Sequence, residues 1–139
     1  MLGYEILLAH LFGDYWLQND WMACNKKIQL LPAVIHGIVY TLPFLLITQS
    51  ITALLIICIT HILIDHTDIV GTFNQIKNWK FKQDSIILSE QLSNGQQRAS
   101  IIELNDGYYG RPLFIRIWLI IIQDNALHLL INYLSILYL

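Results

Sequence analysis

Residues 28–64 read IQLLPAVIHGIVYTLPFLLITQSITALLIICITHILI, and this stretch contains no Asp, Glu, Lys or Arg. A helix needs about 20 apolar residues to cross the hydrocarbon core of a bilayer, so the stretch is long enough for two spans. Gln49 and Ser50 form a short polar turn near its middle. The pattern therefore predicts an antiparallel pair of membrane helices over about residues 32–48 and 51–70.

The composition of the whole chain points the same way. Of its 139 residues, 55% are hydrophobic and 13% are charged, and the mean hydropathy is +0.52. Soluble domains carry about 25% charged residues. The sequence thus predicts a multi-pass integral membrane protein whose first partner is the lipid bilayer. The net charge of −2 and the lack of a basic, aromatic-interleaved patch give no indication of nucleic-acid binding. Cys24 and Cys58 form no CxxC pair and are interpreted as free thiols.

Four hydrophobic segments are predicted as spans, at about residues 3–21, 32–48, 51–70 and 112–139. A polar insertion at about residues 71–111 separates the last two. Within it, Ser85–Leu92 and Ala99–Leu104 flank Asn94-Gly95, a dipeptide that favours tight hairpin turns. A small β-hairpin is expected there, with an irregular loop as the alternative. We therefore expect an all-α membrane protein, a single domain over residues 1–139 folded as a four-helix transmembrane bundle with a cytoplasmic loop.

The orientation follows from the basic residues. All eight Lys and Arg fall on one side of the four-span arrangement. The positive-inside rule makes that side cytoplasmic and places both termini outside. Glu5 stands where a signal peptide carries basic residues, so the first segment is expected to be retained.

Histidine and aspartate recur four residues apart in three of these segments, as His10-x3-Asp14, His61-x3-Asp65 and Asp124-x3-His128. Side chains four apart lie on one face of a helix. At about 1.5 Å per residue, five of the polar groups fall roughly 6–15 Å into the membrane from the cytoplasmic side; these are Asp14, His36, His61, Asp65 and Asp124. His10 and His128 lie somewhat deeper. Groups from four segments are thus expected to meet at one level.

Mixed imidazole and carboxylate groups without cysteine suit zinc, manganese or iron. We expect a divalent metal, zinc or manganese before iron, with enough ligands for two ions. The candidate metal ligands are His10, Asp14, His36, His61, Asp65, Asp124 and His128. The candidate catalytic residues are Asp14, Asp65 and Asp124, as water-activating bases or as partners that orient an imidazole. His66 lies five positions from His61, on another face, and is excluded.

Two other interpretations of the same residues stay open. His–carboxylate pairs can hold transmembrane helices together without any metal. Buried ionisable groups in a membrane can also relay protons or coordinate a moving cation.

Three blocks of the chain resemble a known family: LLAHLFGDYWLQNDWMACNK, HILIDH and GRPLFIRIWLIIIQDNALHLL. They are similar to the hallmark blocks of small bacterial and phage membrane proteins catalogued as a domain of unknown function. The His/Asp pattern of that family is similar to predicted membrane-bound metal-dependent hydrolases. The resemblance implies a bacterial inner-membrane location and carries no activity with it. The matching polar positions are His10, Asp14, Gln18, His36, His61, Asp65, Asp124 and His128.

The favoured function is a metal-dependent hydrolase of phosphoester or lipid-linked substrates, with its site open to the cytoplasm. One alternative is a component of a proton or metal-ion transporter. A chain of 139 residues leaves little room for a transport pathway, so this alternative calls for a homo-oligomer. The other alternative is a non-catalytic membrane interaction protein.

Overall fold

The computed structural model of the protein describes residues 2–78, 86–91, 97–102, 108 and 112–139, and helices make up most of this part of the chain. The elements in chain order are α1 (Leu2–Leu11), a π-helical turn (Phe12–Trp16), α2 (Asp20–Asn25), α3 (Leu30–Thr41), a 3-10 turn (Leu42–Leu46), α4 (Ile51–His66), α5 (Ile69–Lys77), β1 (Ile86–Gln91), β2 (Gln97–Ile102) and α6 (Leu113–Tyr138).

The chain divides into two compact units. The first contains Met1–Asp68 and Gln123–Leu139, and the second contains Ile69–Ile122. The boundary falls inside α6, so the second half of that helix belongs to the first unit. Every predicted site residue therefore lies in the first unit. The expectation of one domain over residues 1–139 stays a prediction.

Local chemistry explains where the helices of the first unit begin and end. Asn19 caps α2 by accepting a hydrogen bond from the Met22 backbone N–H at 2.9 Å, and Ser50 caps α4 by accepting one from the Ala53 N–H at 3.3 Å. Such caps satisfy backbone donors that the first helical turn leaves unpaired. Pro43 cannot donate to an α-helical ladder, and the chain passes from α3 into the 3-10 turn at Leu42.

Burial in the first unit is inverted relative to a water-soluble domain. The interior contains His10, His36 and His61, none more than 1% exposed. Large apolar side chains such as Trp16 and Leu46 are instead 79% and 92% exposed. A smaller apolar cluster lies beside the polar interior and includes Ile6, Ala9, Tyr40, Phe44 and Ile57. Buried imidazoles under an apolar surface are unusual in soluble proteins, which seldom expose large contiguous apolar patches.

The helix lengths do not confirm four spans. Within the described residues, only α6 is long and apolar enough by itself to cross a membrane; the count rises to two if α4 and α5 are taken as one broken span. The predicted first span is split into α1, the π-helical turn and α2, and α3 has only 12 residues. Hydropathy predicts continuous apolar segments. It does not predict where polar side chains and proline interrupt the α-helical hydrogen bonding within them.

The second unit contains α5 and a two-stranded antiparallel hairpin. β1 pairs with β2 in a register that sets Ile86 opposite Ile102 and Gln91 opposite Gln97. The strands fall where the sequence predicts a hairpin, although its turn residues, Asn94 and Gly95, lie outside the described residues. Beyond the hairpin, the Lys77 ammonium group of α5 lies 5.3 Å from the centre of the Tyr108 ring.

Close approach between helices of the first unit depends on two glycines. A Cβ atom at Gly13 would lie 2.6 Å from Tyr40 Cδ2 and 3.0 Å from the Tyr40 carbonyl oxygen. A Cβ atom at Gly37 would lie 2.3 Å from Ile62 Cγ1. Small residues at such crossings let helix backbones approach closely. Gly13 therefore brings the π-helical turn, and with it Asp14, up against α3.

We predict that Gly13→Ala lowers the thermal stability of the detergent-purified protein. The added methyl group meets backbone as well as side chain, and overpacking of this kind typically costs about 1–3 kcal/mol. Gly3→Ala is the matched control, because a Cβ atom at Gly3 has no heavy atom within 4 Å. Equal melting temperatures for the two variants would contradict the close approach at Gly13.

Candidate metal centre

The polar interior of the first unit is assembled from four parts of the chain. The π-helical turn contributes Asp14, α3 contributes His36, α4 contributes His61 and Asp65, and α6 contributes Asp124 and His128. On α4 and α6 the four-residue spacing brings each histidine and its aspartate to one side of the helix, as expected. The structure thus brings these six side chains together in one place.

Four of these side chains form a compact group: Asp14, His36, His61 and Asp65, here called the four-residue group. Asp14 Oδ1 lies 3.1 Å from His36 Nε2 and 3.3 Å from His61 Nε2. Asp65 Oδ2 lies 3.2 Å from His36 Nε2 and 3.1 Å from His61 Nε2. The two Nε2 atoms are themselves 3.0 Å apart.

These separations match the size of a tetrahedral metal site. Ligand atoms at about 2.0–2.1 Å from a tetrahedral zinc ion lie about 3.3–3.4 Å from one another. Five of the six separations among the four ligand atoms fall between 3.0 and 3.3 Å. Two imidazole nitrogens and two carboxylate oxygens are therefore already spaced to bind one divalent cation.

A second, looser group adjoins the first and consists of Asp65, Asp124 and His128, here called the three-residue group. His128 Nε2 lies 3.6 Å from Asp65 Oδ1 and 3.6 Å from Asp124 Oδ2. Asp65 belongs to both groups, with Oδ2 facing the first and Oδ1 facing the second. Asp124 is the most open member, its side chain being 36% exposed.

Lys26 supplies a positive charge at the edge of the four-residue group. Its ammonium group donates to Asp65 Oδ2 at 2.9 Å and to Gln18 Oε1 at 2.7 Å. The sequence predicts for Lys26 only a place on the basic side of the membrane. No helical spacing links Lys26 to Asp65, because the contact depends on how the chain folds back after α2.

His10 lies beside the centre, but its ring nitrogens are taken up by other partners. Nε2 lies 2.9 Å from Asn125 Oδ1, which can only accept, so His10 carries its proton there. Nδ1 then accepts from the Tyr40 hydroxyl at 2.8 Å, and that hydroxyl in turn accepts from Asn132 Nδ2 at 2.6 Å. His10 Nδ1 is also 3.3 Å from Asp14 Oδ2. With its proton on Nε2, His10 presents only a lone pair to Asp14 and donates no hydrogen bond to that carboxylate.

Tyr40 was not among the predicted site residues, although a signal for it exists. It follows His36 by four positions, the same spacing that pairs the histidines and aspartates. Its ring stacks on that of His61 with centroids 3.5 Å apart and planes 8° apart. The spacing His36-x3-Tyr40 is therefore the signal in the sequence that points to Tyr40.

His66 lies outside both groups, in agreement with the sequence-based prediction that it is not a metal ligand. Its Nδ1 donates to the Lys26 carbonyl oxygen at 2.9 Å. The ring therefore points toward the segment after α2. Asp68, which extends the His61–Asp65 spacing, is exposed at the surface.

The arrangement concentrates negative charge in a buried place. Asp14, Asp65 and Asp124 bring three carboxylates, and Lys26 brings one positive charge. Burying charges costs free energy unless they are compensated. One divalent cation would neutralise the group, so the charges favour the same occupant as the distances.

Fold and site together define a small, largely helical protein with a buried His/Asp centre suited to a divalent cation. The chain belongs to the family described as "Protein of unknown function (DUF3307)", whose profile matches residues 2–91, more than half of the 139 residues. The matched part holds every member of the four-residue group, whereas Asp124 and His128 lie beyond it. No curated protein and no solved structure matches the chain.

Proposed function

We propose that the protein is an integral membrane enzyme that uses one divalent cation, zinc or manganese, to hydrolyse phosphoester bonds in lipid-linked substrates. The observation that carries the proposal is the convergence of two imidazole nitrogens and two carboxylate oxygens at tetrahedral spacing beneath an apolar surface. A cation bound there supplies Lewis acidity, activating water and stabilising negative charge on a phosphoryl oxygen.

Membrane integration is supported by the inverted burial and by the helix lengths. At about 1.5 Å per residue in α-helix and about 2.0 Å in 3-10 helix, α3 with its 3-10 extension is about 28 Å long, and α4 is about 24 Å. The hydrocarbon core of a bilayer is about 30 Å thick, and local thinning accommodates helices a few ångströms too short. We propose that all four apolar segments lie in the membrane, the first as a broken helix.

The ends of the first unit support the proposed orientation. Ser50 Oγ, in the turn between α3 and α4, donates to the carbonyl oxygen of Leu139 at 2.9 Å. His66, at the other end of α4, contacts the Lys26 carbonyl oxygen. The 49–50 turn and the C-terminus thus share one end, and the basic segment at Lys26–Lys27 lies at the opposite end. We place the basic end in the cytoplasm of a bacterial inner membrane.

This orientation predicts that two thiols react from opposite sides of the membrane. Cys24 is exposed and precedes Lys26, so it should react with a membrane-impermeant maleimide only from the cytoplasmic side in a Cys58→Ser background. Gln49→Cys, made without the native thiols, should react only from the outside. Right-side-out and inverted vesicles give the two accessibilities. Labelling of both thiols from the same side would contradict the assignment.

The residues of the centre have distinct proposed roles in hydrolysis. Asp14, His36, His61 and Asp65 hold the cation. Asp124 is open to the surface and next to the centre, so it is placed to accept a proton from the attacking water. Lys26 is placed to bind an anionic phosphate oxygen, since its ammonium group lies at the edge of the four-residue group. An apolar surface around the site favours a substrate that reaches it from the lipid.

We predict that metal binding depends on the particular side chains that act as ligands and not on the number of histidines in the chain. Asp65→Ala removes a ligand shared by both groups and should abolish binding of zinc or manganese. His61→Ala should weaken binding at least tenfold, because even changes next to a ligand typically cost about 10–100-fold. His66→Ala, on the same helix, should bind as wild type does. Elemental analysis and competition with a chelating dye measure the content and the affinity.

Melting temperatures of the same samples separate metal binding from simple helix pairing. If the side chains only satisfy one another, His61→Ala loses stability although the wild type never carried a metal. Wild-type protein purified without chelator that holds no metal, and whose melting temperature is unaffected by added zinc or manganese, would overturn the metal assignment.

Turnover separates the enzyme from a transporter. Wild-type protein in vesicles should release phosphate from a lipid-linked diphosphate. Phosphate release should stop when the metal is chelated and should recover when zinc or manganese is restored. The ring-to-ring contacts His36–His61 and His61–His128, at 3.0 and 3.1 Å, would also suit a proton or cation relay. Cation flux across the vesicle membrane without phosphate release would favour that alternative and overturn the hydrolase.

A further inference from the structure

The three-residue group has its own reason to bind a cation. His128 is 1% exposed, and its Nε2 atom has no hydrogen-bond partner among the described residues. The atom is directed at the carboxylates of Asp65 and Asp124, 3.6 Å from each. A proton on Nε2 satisfies this arrangement, whereas a lone pair on Nε2 would face two carboxylates unfavourably unless a cation lay between them. When Nε2 carries no proton, this group is therefore a second position for the metal.

The two positions are coupled through one proton. His61 Nδ1 and His128 Nδ1 are 3.1 Å apart, so one must donate and the other accept. Binding a cation through His61 Nε2 places the His61 proton on Nδ1, which then donates to His128. Neutral His128 must in that case carry its own proton on Nε2, where it cannot bind a metal. Binding through His128 Nε2 reverses the tautomers and removes His61 from the four-residue group.

The charge of the centre leads to the same exclusion. The three carboxylates and the Lys26 ammonium group leave a net charge of two negative, which one divalent cation neutralises. A second divalent cation would leave a net positive charge of two in a buried centre. We infer that the three-residue group is an alternative position for the same cation, and that the centre holds one cation at a time.

This inference rests on the proposed function and narrows its chemistry. A centre with one cation cannot clamp a phosphoryl group between two metals. The attacking water and the leaving oxygen must then be served by protein groups. Lys26 contacts Asp65 of the four-residue group, and Asp124 lies beside His128 in the adjoining group.

The first test is the number of cations bound at saturation. Wild-type protein titrated with manganese should bind one ion per chain, with the electron paramagnetic resonance spectrum of an isolated ion. Two ions per chain, or a spin-coupled pair, would overturn the exclusive arrangement while leaving metal binding itself intact. No bound ion would instead remove the proposed metal function.

The second test uses the dependence of one substitution on another. Asp124→Asn alone should leave one zinc ion bound and should lower the zinc affinity less than Asp14→Asn does, because the cation occupies the four-residue group and loses only a neighbouring charge. In an Asp14→Asn/His36→Ala protein the ion should bind more weakly at the three-residue group. Adding Asp124→Asn to that protein should abolish binding, whereas adding Asp68→Asn, a change at an exposed aspartate, should not.

Two outcomes of the second test would overturn the inference. The first is an Asp14→Asn/His36→Ala protein that is folded by size exclusion and melting but holds no metal. The second is an Asp124→Asn protein whose zinc affinity falls as far as that of Asp14→Asn. Where the double variant fails to fold, the manganese stoichiometry of the wild type still decides between one position and two.

Discussion

Asp65 is buried at 4% exposure, and its carboxylate is in contact with Lys26, His36 and His61 through one oxygen. Its other oxygen faces His128. A buried carboxylate must be compensated, and here the compensating groups come from the segment after α2 and from α3, α4 and α6. Removing this one charge would leave those elements without their common partner. The need to satisfy Asp65 thus explains why the helices of the first unit converge where they do.

A protein with a polar interior and an apolar surface is suited to apolar surroundings and not to water. The exposed Leu, Ile, Phe and Trp side chains of the first unit would be a large aggregation-prone surface in water. In a bilayer the same surface is satisfied, and ionisable residues are expected to face the interior of the helix bundle. Under the proposed membrane location, fold and site share one physical cause: the charged groups are driven together by surroundings that cannot solvate them.

The sequence predicted the composition of the centre because helical geometry is local. His61 with Asp65, and Asp124 with His128, each lie four residues apart on a regular helix, so their common direction follows from spacing alone. His10 and Asp14 differ because the π-helical turn begins at Phe12. Across this turn the two side chains stay 3.3 Å apart. The Asp14 carboxylate joins the four-residue group, while the ring nitrogens of His10 bond to Tyr40 and Asn125. The same interruption, with that at Pro43, explains why continuous apolar segments did not become four regular spanning helices.

Contacts that depend on tertiary structure could not be predicted in this way. Lys26 reaches Asp65 only because the chain turns back after α2, and the Nδ1–Nδ1 contact between His61 and His128 depends on how α4 packs against α6. These two features determine the charge of the centre and the number of cations it can hold. Hydropathy and residue spacing do not predict the Lys26–Asp65 contact or the His61–His128 contact.

The zinc K-edge X-ray absorption spectrum of zinc-loaded protein tests the central claim most directly. Assignment of the cation to the four-residue group predicts two imidazole and two oxygen ligands at about 2.0–2.2 Å, with the multiple-scattering features of two histidine rings. A ligand shell of oxygens without imidazole scattering, or with a sulfur at about 2.3 Å, would contradict it.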